Sequence, residues 1–298
     1  MASGGGDLRG MDPRKVPALV MRSVENARVH VDDGELDRAI KMMSSTDALC
    51  SRVAAPPTVH GLALRVLADA YVRKAERASE RGEKGGGDVA SGESGGGEGV
   101  ASGESGGGEG EDAGEEIDYL ARAKGALNKG IEVCKVHEGR AGMPSFMAAD
   151  LAGRMGDLYA ALGEIFREEK NYKDALRSLR MGLRKFETLG AKEFVGATHN
   201  RVAFCYMDKE EWKDALLELQ EAERISSGVE AESAILSTTL AYRGKCHAKL
   251  DDVKAARVAY EGALKYAMAS GNEGVVHEAE NFLAETQDQS AIDDSAFL

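Results

Sequence analysis

The residues with the strongest chemical look lie in a glycine-rich stretch. Gly92-Glu-Ser94-Gly-Gly96 and its copy Gly103-Glu-Ser105-Gly-Gly107 match the G-x-S-x-G pattern that raises a nucleophilic serine on a strained turn. That turn needs a strand before it and a helix after it, and neither flanks these serines, so no hydrolase elbow is expected. The same glycines lack a following Lys-Ser or Lys-Thr pair, so no phosphate cradle is expected either. His277-Glu278 has Asn281 where a zinc-protease helix would carry its second histidine, and no other metal-ligand spacing occurs. Six histidines are scattered (His30, His60, His137, His199, His247 and His277), and packing accounts for them better than catalysis. Cys50, Cys134, Cys205 and Cys246 lie far apart with no C-x-x-C pair, which suits free, buried thiols acting as small hydrophobes. These features predict no enzyme, no cofactor and no metal.

Composition restricts the partners. The formal net charge over 298 residues is -13. Residues 82–116 hold ten acids against the single Lys84, so about -9 falls there and about -4 on everything else. Neither part offers a basic face able to neutralise phosphates, so nucleic acid is not expected as a partner. No run of about 18 apolar residues is available to cross a bilayer. Met1 to Val20 carries Asp7 and Asp12 and no apolar core, unlike a secretory or transit leader. A cytoplasmic protein is expected, with nucleus and cilium left open.

Between Val89 and Gly110 an 11-residue unit, Val-Ala-Ser-Gly-Glu-Ser-Gly-Gly-Gly-Glu-Gly, occurs twice without change. Such sequence cannot bury enough apolar surface to offset its ordering entropy, so 82–116 reads as a disordered acidic insert. It could act as a passive linker, or fold back on Arg65, Arg73 or Lys249. The remaining expectations are a disordered N-terminus over 1–14, one helical-repeat domain over 15–81 and 117–287, and a flexible tail over 288–298.

The elements that must position any site follow from internal spacing. Ala175, Ala215 and Ala256 recur at intervals of 40 and 41, and each lies twelve residues after a small partner: Gly163, Ala203 or Gly244. Large residues flank them regularly: Tyr159, Phe166 and Tyr172 in one segment, Tyr206, Trp212 and Leu219 in the next, Leu240, Val253 and Tyr260 in the third. Small residues at such places let two antiparallel helices approach closely, and each hairpin then exposes an apolar face that only another hairpin can cover. Trp212 aligns with Leu36, Tyr172 and Val253 and reads as core. Ala27 and Ala39 repeat the twelve-residue offset near the N-terminus, and Leu64, Leu67, Ala68 and Tyr71 pair with Leu120, Ala123, Leu127 and Gly130 across the insert. Val275, Val276, Ala279, Phe282 and Leu283 mark an amphipathic closing helix.

This pattern resembles the tetratricopeptide repeat (TPR), here in a longer form of about 40 residues similar to kinesin light chain and the LGN/Pins adaptors. The resemblance implies an all-α, right-handed solenoid of about five antiparallel helix hairpins plus a C-terminal closing helix. It further implies a concave groove lined by first helices, with Arg65, Asp69, Arg73, Glu164, Arg167, Asn200, Phe204, Met207, Lys245 and Lys249 as candidate peptide-binding residues. Some TPR proteins clamp the terminal carboxylate of heat-shock chaperones with Lys, Asn and Arg side chains. Asn200 fits that clamp, but Thr238 and Tyr242 stand where basic residues are needed. The expected function is a scaffold or adaptor for a protein or peptide, acidic or amphipathic, with oligomeric state left open. The competing readings are a structural subunit of a larger complex and an enzyme built on helical repeats.

Overall fold

The computed structural model describes residues 13–85, 118–227 and 233–295. Residues 1–12, most of the acidic insert and residues 296–298 lie outside the described residues, and with them both copies of the 11-residue unit. Eleven α-helices and no strand occur among the described residues.

The helices form five hairpins and a closing helix. They are α1 (Val16–Asp32) with α2 (Leu36–Val53), α3 (Pro57–Gly85) with α4 (Tyr119–Lys135), α5 (Ser145–Glu168) with α6 (Tyr172–Leu189), α7 (Lys192–Asp208) with α8 (Trp212–Ser226), α9 (Ser233–Lys249) with α10 (Val253–Ser270), and α11 (Glu273–Ser295). Each helix packs on the next in sequence. First helices also pack on first helices, from α1 on α3 through to α9 on α11, with no comparable contact between successive second helices. The first helices therefore lie on the inside of the curve. This is the helical-repeat solenoid that the spacing predicts.

Four hairpin turns share one construction. The residue at the bend takes a left-handed conformation: Gly34 (φ 79°), Lys170 (59°), Glu210 (61°) and Asp251 (60°). At each, the amides of that residue and of the one after it reach back to the last turn of the first helix, as when Asn171 N donates to Phe166 O at 2.8 Å and Glu211 N to Tyr206 O at 2.9 Å. These bonds satisfy carbonyls the helix end would leave orphaned. Asn171 and Asp252 then cap the following helices by accepting from the amides of Asp174 and Ala255.

The small residues do what their spacing demands. Ala39, Ala123, Ala175, Ala215 and Ala256 are all 0% exposed. A methyl placed on Gly163 would stand 2.6 Å from Leu179 Cγ and 3.2 Å from the Ala175 carbonyl, which shows how closely α5 and α6 approach. The aligned large residues are less uniform than expected. Leu36 is buried, Tyr172 and Trp212 are half-buried, and Val253 is 47% exposed. That position is the first residue of the second helix, beside the turn, so its burial depends on how far the neighbouring hairpin reaches.

Candidate functional site

The concave face is built from the residues that first helices turn inward at intervals of three and four. On α3 these are Arg65, Asp69 and Arg73, one per turn along a single stripe. Arg65 is ion-paired with Asp69, and Arg73 lies 3.6 Å from Asp32 of α1. Together with Glu164 of α5 they line one open cavity of about 530 Å³. Glu164 also accepts from Arg201 Nε of α7 at 2.7 Å, so α3, α5 and α7 contribute to one network.

Partial burial sets the electrostatics of this network. Desolvation lowers the pKa of Arg65 from its ordinary value. Burial raises that of Asp157, against the opposing pull of Arg154, Arg65 and Arg201. Burial and the neighbouring carboxylates Glu76 and Glu164 raise that of Glu168. A cation near Glu168 would therefore meet a carboxylate whose charged form its surroundings disfavour.

Further along, the face changes character. Arg167 donates to Asp208 Oδ2 at 2.8 Å and lies 5.9 Å from the centre of the Phe204 ring. Phe204 meets Tyr242 of α9 edge to face at 4.5 Å, a favourable aromatic geometry. Lys245 and Lys249 are exposed on α9 and enter no ion pair among the described residues. Arg65, Asp69, Arg73 and Glu164 thus share one cavity, while Arg167, Phe204, Lys245 and Lys249 belong to a second, aromatic and basic stretch.

Two expected groove residues are not on the open face. Asn200 is 5% exposed and fills the seam between α7 and α9, where its Nδ2 donates to Thr239 Oγ1 at 2.9 Å while that hydroxyl donates to Ile235 O at 2.8 Å. It is therefore not positioned to hold a peptide backbone or complete a carboxylate clamp. Met207 is 8% exposed and packs with Ala203, Ala215, Leu219 and Cys246. Conversely, Arg28, Arg154, Asp157 and Arg201 line the groove without being anticipated. For two of them the signal was the repeat offset: Asp157 shares its position with Ala197, and Arg201 with Tyr242.

The remaining chemistry is quiet. All four cysteines are buried and free, and burial pushes each thiol up to about 11, far from a reactive thiolate. No group of three or more His, Cys, Asp or Glu able to hold a metal occurs among the described residues. No helix among them is long and apolar enough to cross a membrane.

No family model matches the sequence, and neither does any curated protein. Solved structures do resemble it. The nearly identical TPR-like repeats of a kinesin-light-chain candidate from Podosopora anserina align over 88% of this chain and 99% of theirs, with TM-score 0.57 and 12% identity. Yeast histone chaperone Hif1, described as a scaffold recruiting protein complexes to core histones, aligns over 82% of this chain and 98% of its own, with TM-score 0.52 and 16% identity. Aspartyl phosphate phosphatase F from Bacillus subtilis reaches TM-score 0.63 at 12% identity, over 96% of this chain and 62% of that one. At these identities the likeness concerns the backbone, and together with the hairpin geometry it establishes that this chain has the TPR-like helical-repeat fold.

Proposed function

We propose that the protein is a binding adaptor, and not an enzyme, that seats a partner polypeptide along its concave face. The observation that carries this reading is the open cavity in which Arg65, Asp69 and Arg73 of α3 meet Glu164 of α5. A surface serving only solubility has no need for such convergence, whereas a groove of alternating charge can fix the register of an extended or helical segment. The adjoining stretch of Phe204, Tyr242, Lys245 and Lys249 adds aromatic surface and uncompensated positive charge. The partner it suits is therefore amphipathic, with carboxylates at the α9 end. The scaffold role described for the yeast histone chaperone is consistent with this reading through likeness of fold.

The test is affinity capture from the source cell with the intact protein and with an Arg73→Glu, Lys245→Glu, Lys249→Glu variant. All three side chains are exposed, so circular dichroism should show unchanged helicity. Proteins lost only from the variant are groove ligands. An unchanged set of captured proteins would overturn the groove assignment and favour a structural subunit that uses other surfaces.

A further inference from the structure

The repeats supply an internal control for surface charge. Aligning the second helices on their buried alanines, Ala39, Ala123, Ala175, Ala215 and Ala256, defines four outward positions on each. On α6 all four are cations, Lys173, Arg177, Arg180 and Arg184, and all are exposed. No other second helix carries more than two cations at these places. The flanking helix α4 has Ala121, Gly125, Asn128 and Glu132 there, and α8 has Lys213, Leu217, Gln220 and Arg224. A chain with formal net charge -13 thus carries one basic line, confined to the outer face of one helix.

Helix geometry makes this line straight. Spacings of four, three and four residues keep the side chains within about 60° of one another around the axis, over a length of about 17 Å. None of the four pairs with a carboxylate among the described residues. Arg180 Nη2 donates to the Tyr206 hydroxyl at 2.9 Å, and Arg184 Nη2 points at the Met181 sulfur. Elsewhere an exposed cation is answered within its own helix, Lys135 by Glu132 and Arg224 by Glu221. Met181 stands on α6 where α8 has Glu221, so Arg184 loses the answer that Arg224 receives. The acids of α6 lie at its two ends: Asp174 accepts from Asn171 Nδ2 at 2.8 Å, and Glu187 closes the line one turn past Arg184. Like charges three and four residues apart repel, and Lys173 and Arg177 stand in the half of the helix where its dipole disfavours cations. The line therefore works against the stability of α6 when nothing anionic covers it.

We propose that the outer face of α6 docks an acidic helix of a partner protein, laid along Lys173, Arg177, Arg180 and Arg184. Carboxylates at four-three-four spacing on such a helix recur once per turn, as the cations do, and the spacing reads the same in either direction. Three of the four cations are arginines, whose guanidinium forks suit carboxylates. The width of the band selects a helix over a broad anionic surface. The outward positions of α4 hold no cation, and with Arg224 paired those of α8 hold one, so a bilayer or a nucleic acid duplex would lie mostly against neutral or acidic neighbours. The site is separate from the concave groove, which is built from first helices on the inside of the curve.

The probes are two fluorescein-labelled helical peptides of identical composition, one with four glutamates in a four-three-four line and one with the same glutamates spread around the helix. Anisotropy titrations use the full-length protein. The lined peptide is expected to bind, the spread peptide about tenfold more weakly. Arg177→Glu and Arg184→Glu should each cost about tenfold with the lined peptide, and the double variant should instead bind a peptide with lysines in the same line. Both side chains are exposed and repelled by their neighbours, so thermal melts should not fall; if a variant nevertheless unfolds, the lined and spread peptides on the parent protein decide alone. Lys245→Glu, on the concave face, should leave these titrations unchanged, which separates this site from the groove. The proposal is overturned if the two peptides bind alike, if neither binds below about 1 mM, or if Arg177→Glu leaves affinity unaltered. It is also overturned if anionic phosphatidylserine vesicles or a DNA duplex bind through Arg177 more tightly than the lined peptide does. Binding of that peptide only after residues 82–116 are deleted would assign the line to the chain's own acidic stretch and equally overturn a partner helix.

Discussion

The two halves of the solenoid share their hairpin geometry but are held together differently. From α1 to α5 one apolar cluster runs without a break, with Val20, Val24, Met43, Leu64, Leu127 and Leu158 essentially inaccessible to water. From α6 onward the apolar contacts divide into separate small clusters, and polar side chains occupy the seams between them. Thr198, His199 and Asn200 of α7, Ser226 of α8, and Ser237 and Thr239 of α9 are all buried. Most are satisfied locally: Thr198 donates to Phe194 O at 2.6 Å and Ser237 to Ala234 O at 2.8 Å. Ser226 Oγ has no partner, and it faces Gly196, where a methyl would come within 2.5 Å. Satisfied polar groups avoid a penalty but add little, so the junction between α7/α8 and α9/α10 gains less from burial than the first hairpins do. In a stack whose stability is a sum of nearest-neighbour terms, that junction should be the first to open.

The largest effect should come from truncation in the continuous core. Leu158→Ala is expected to cost about 4 kcal/mol, and Leu219→Ala in a small cluster about 2 kcal/mol, measured by urea unfolding. Equal costs would remove the contrast. Asn200→Ala should cost about 1 kcal/mol by removing its bond to Thr239, whose hydroxyl keeps the Ile235 carbonyl, whereas Asn200→Val with Thr239→Val should be near neutral because both polar groups leave together. Native-state hydrogen exchange supplies the direct test: α9 and α10 amides should open at lower free energy than those of α3 and α4, and the reverse order would refute a weak seam.

Asp47 sharpens the contrast from the other side. It is a charged group beside the continuous core, accepting from His60 Nε2 at 2.7 Å and Lys129 Nζ at 2.6 Å. Although burial pushes its pKa up, those bonds hold it below the ordinary 3.8. The folded-state pKa lies below the unfolded one, so the stabilisation is complete above about pH 4 and fades as pH falls through the folded value. Asp47→Asn should therefore flatten the acid limb of the stability profile, and an unaltered limb would show the bonds to be inconsequential. The smallest effect belongs to the shared turns. Lys170→Gly or Glu210→Gly should raise stability by about 1 kcal/mol, because glycine adopts the left-handed bend without a Cβ clash. Gly34 already stands at the equivalent bend of the first hairpin and should show no such gain from redesign.

The sequence alone determined the number of hairpins, their pairing across the acidic insert and the closing helix. Those follow from the twelve-residue offset between small residues and the interval of 40 or 41, which are backbone-packing requirements that tolerate no large side chain. It also indicated Arg65, Asp69, Arg73 and Glu164, which do share a cavity. Helical phase could not decide Asn200 or Arg201, neighbours in sequence that differ by about 100° around the α7 axis. That one step separates the seam from the groove, and the positions equivalent to Asn200, Ala160 and Ala241, are buried in the same way. Nor could spacing show that Ala259 and Gly262 line an open cleft, since small residues elsewhere in this chain mark close packing. Which small residue is filled by a neighbour and which is left empty depends on how adjacent hairpins tilt and what the next one carries, and that is settled only when the stack is assembled.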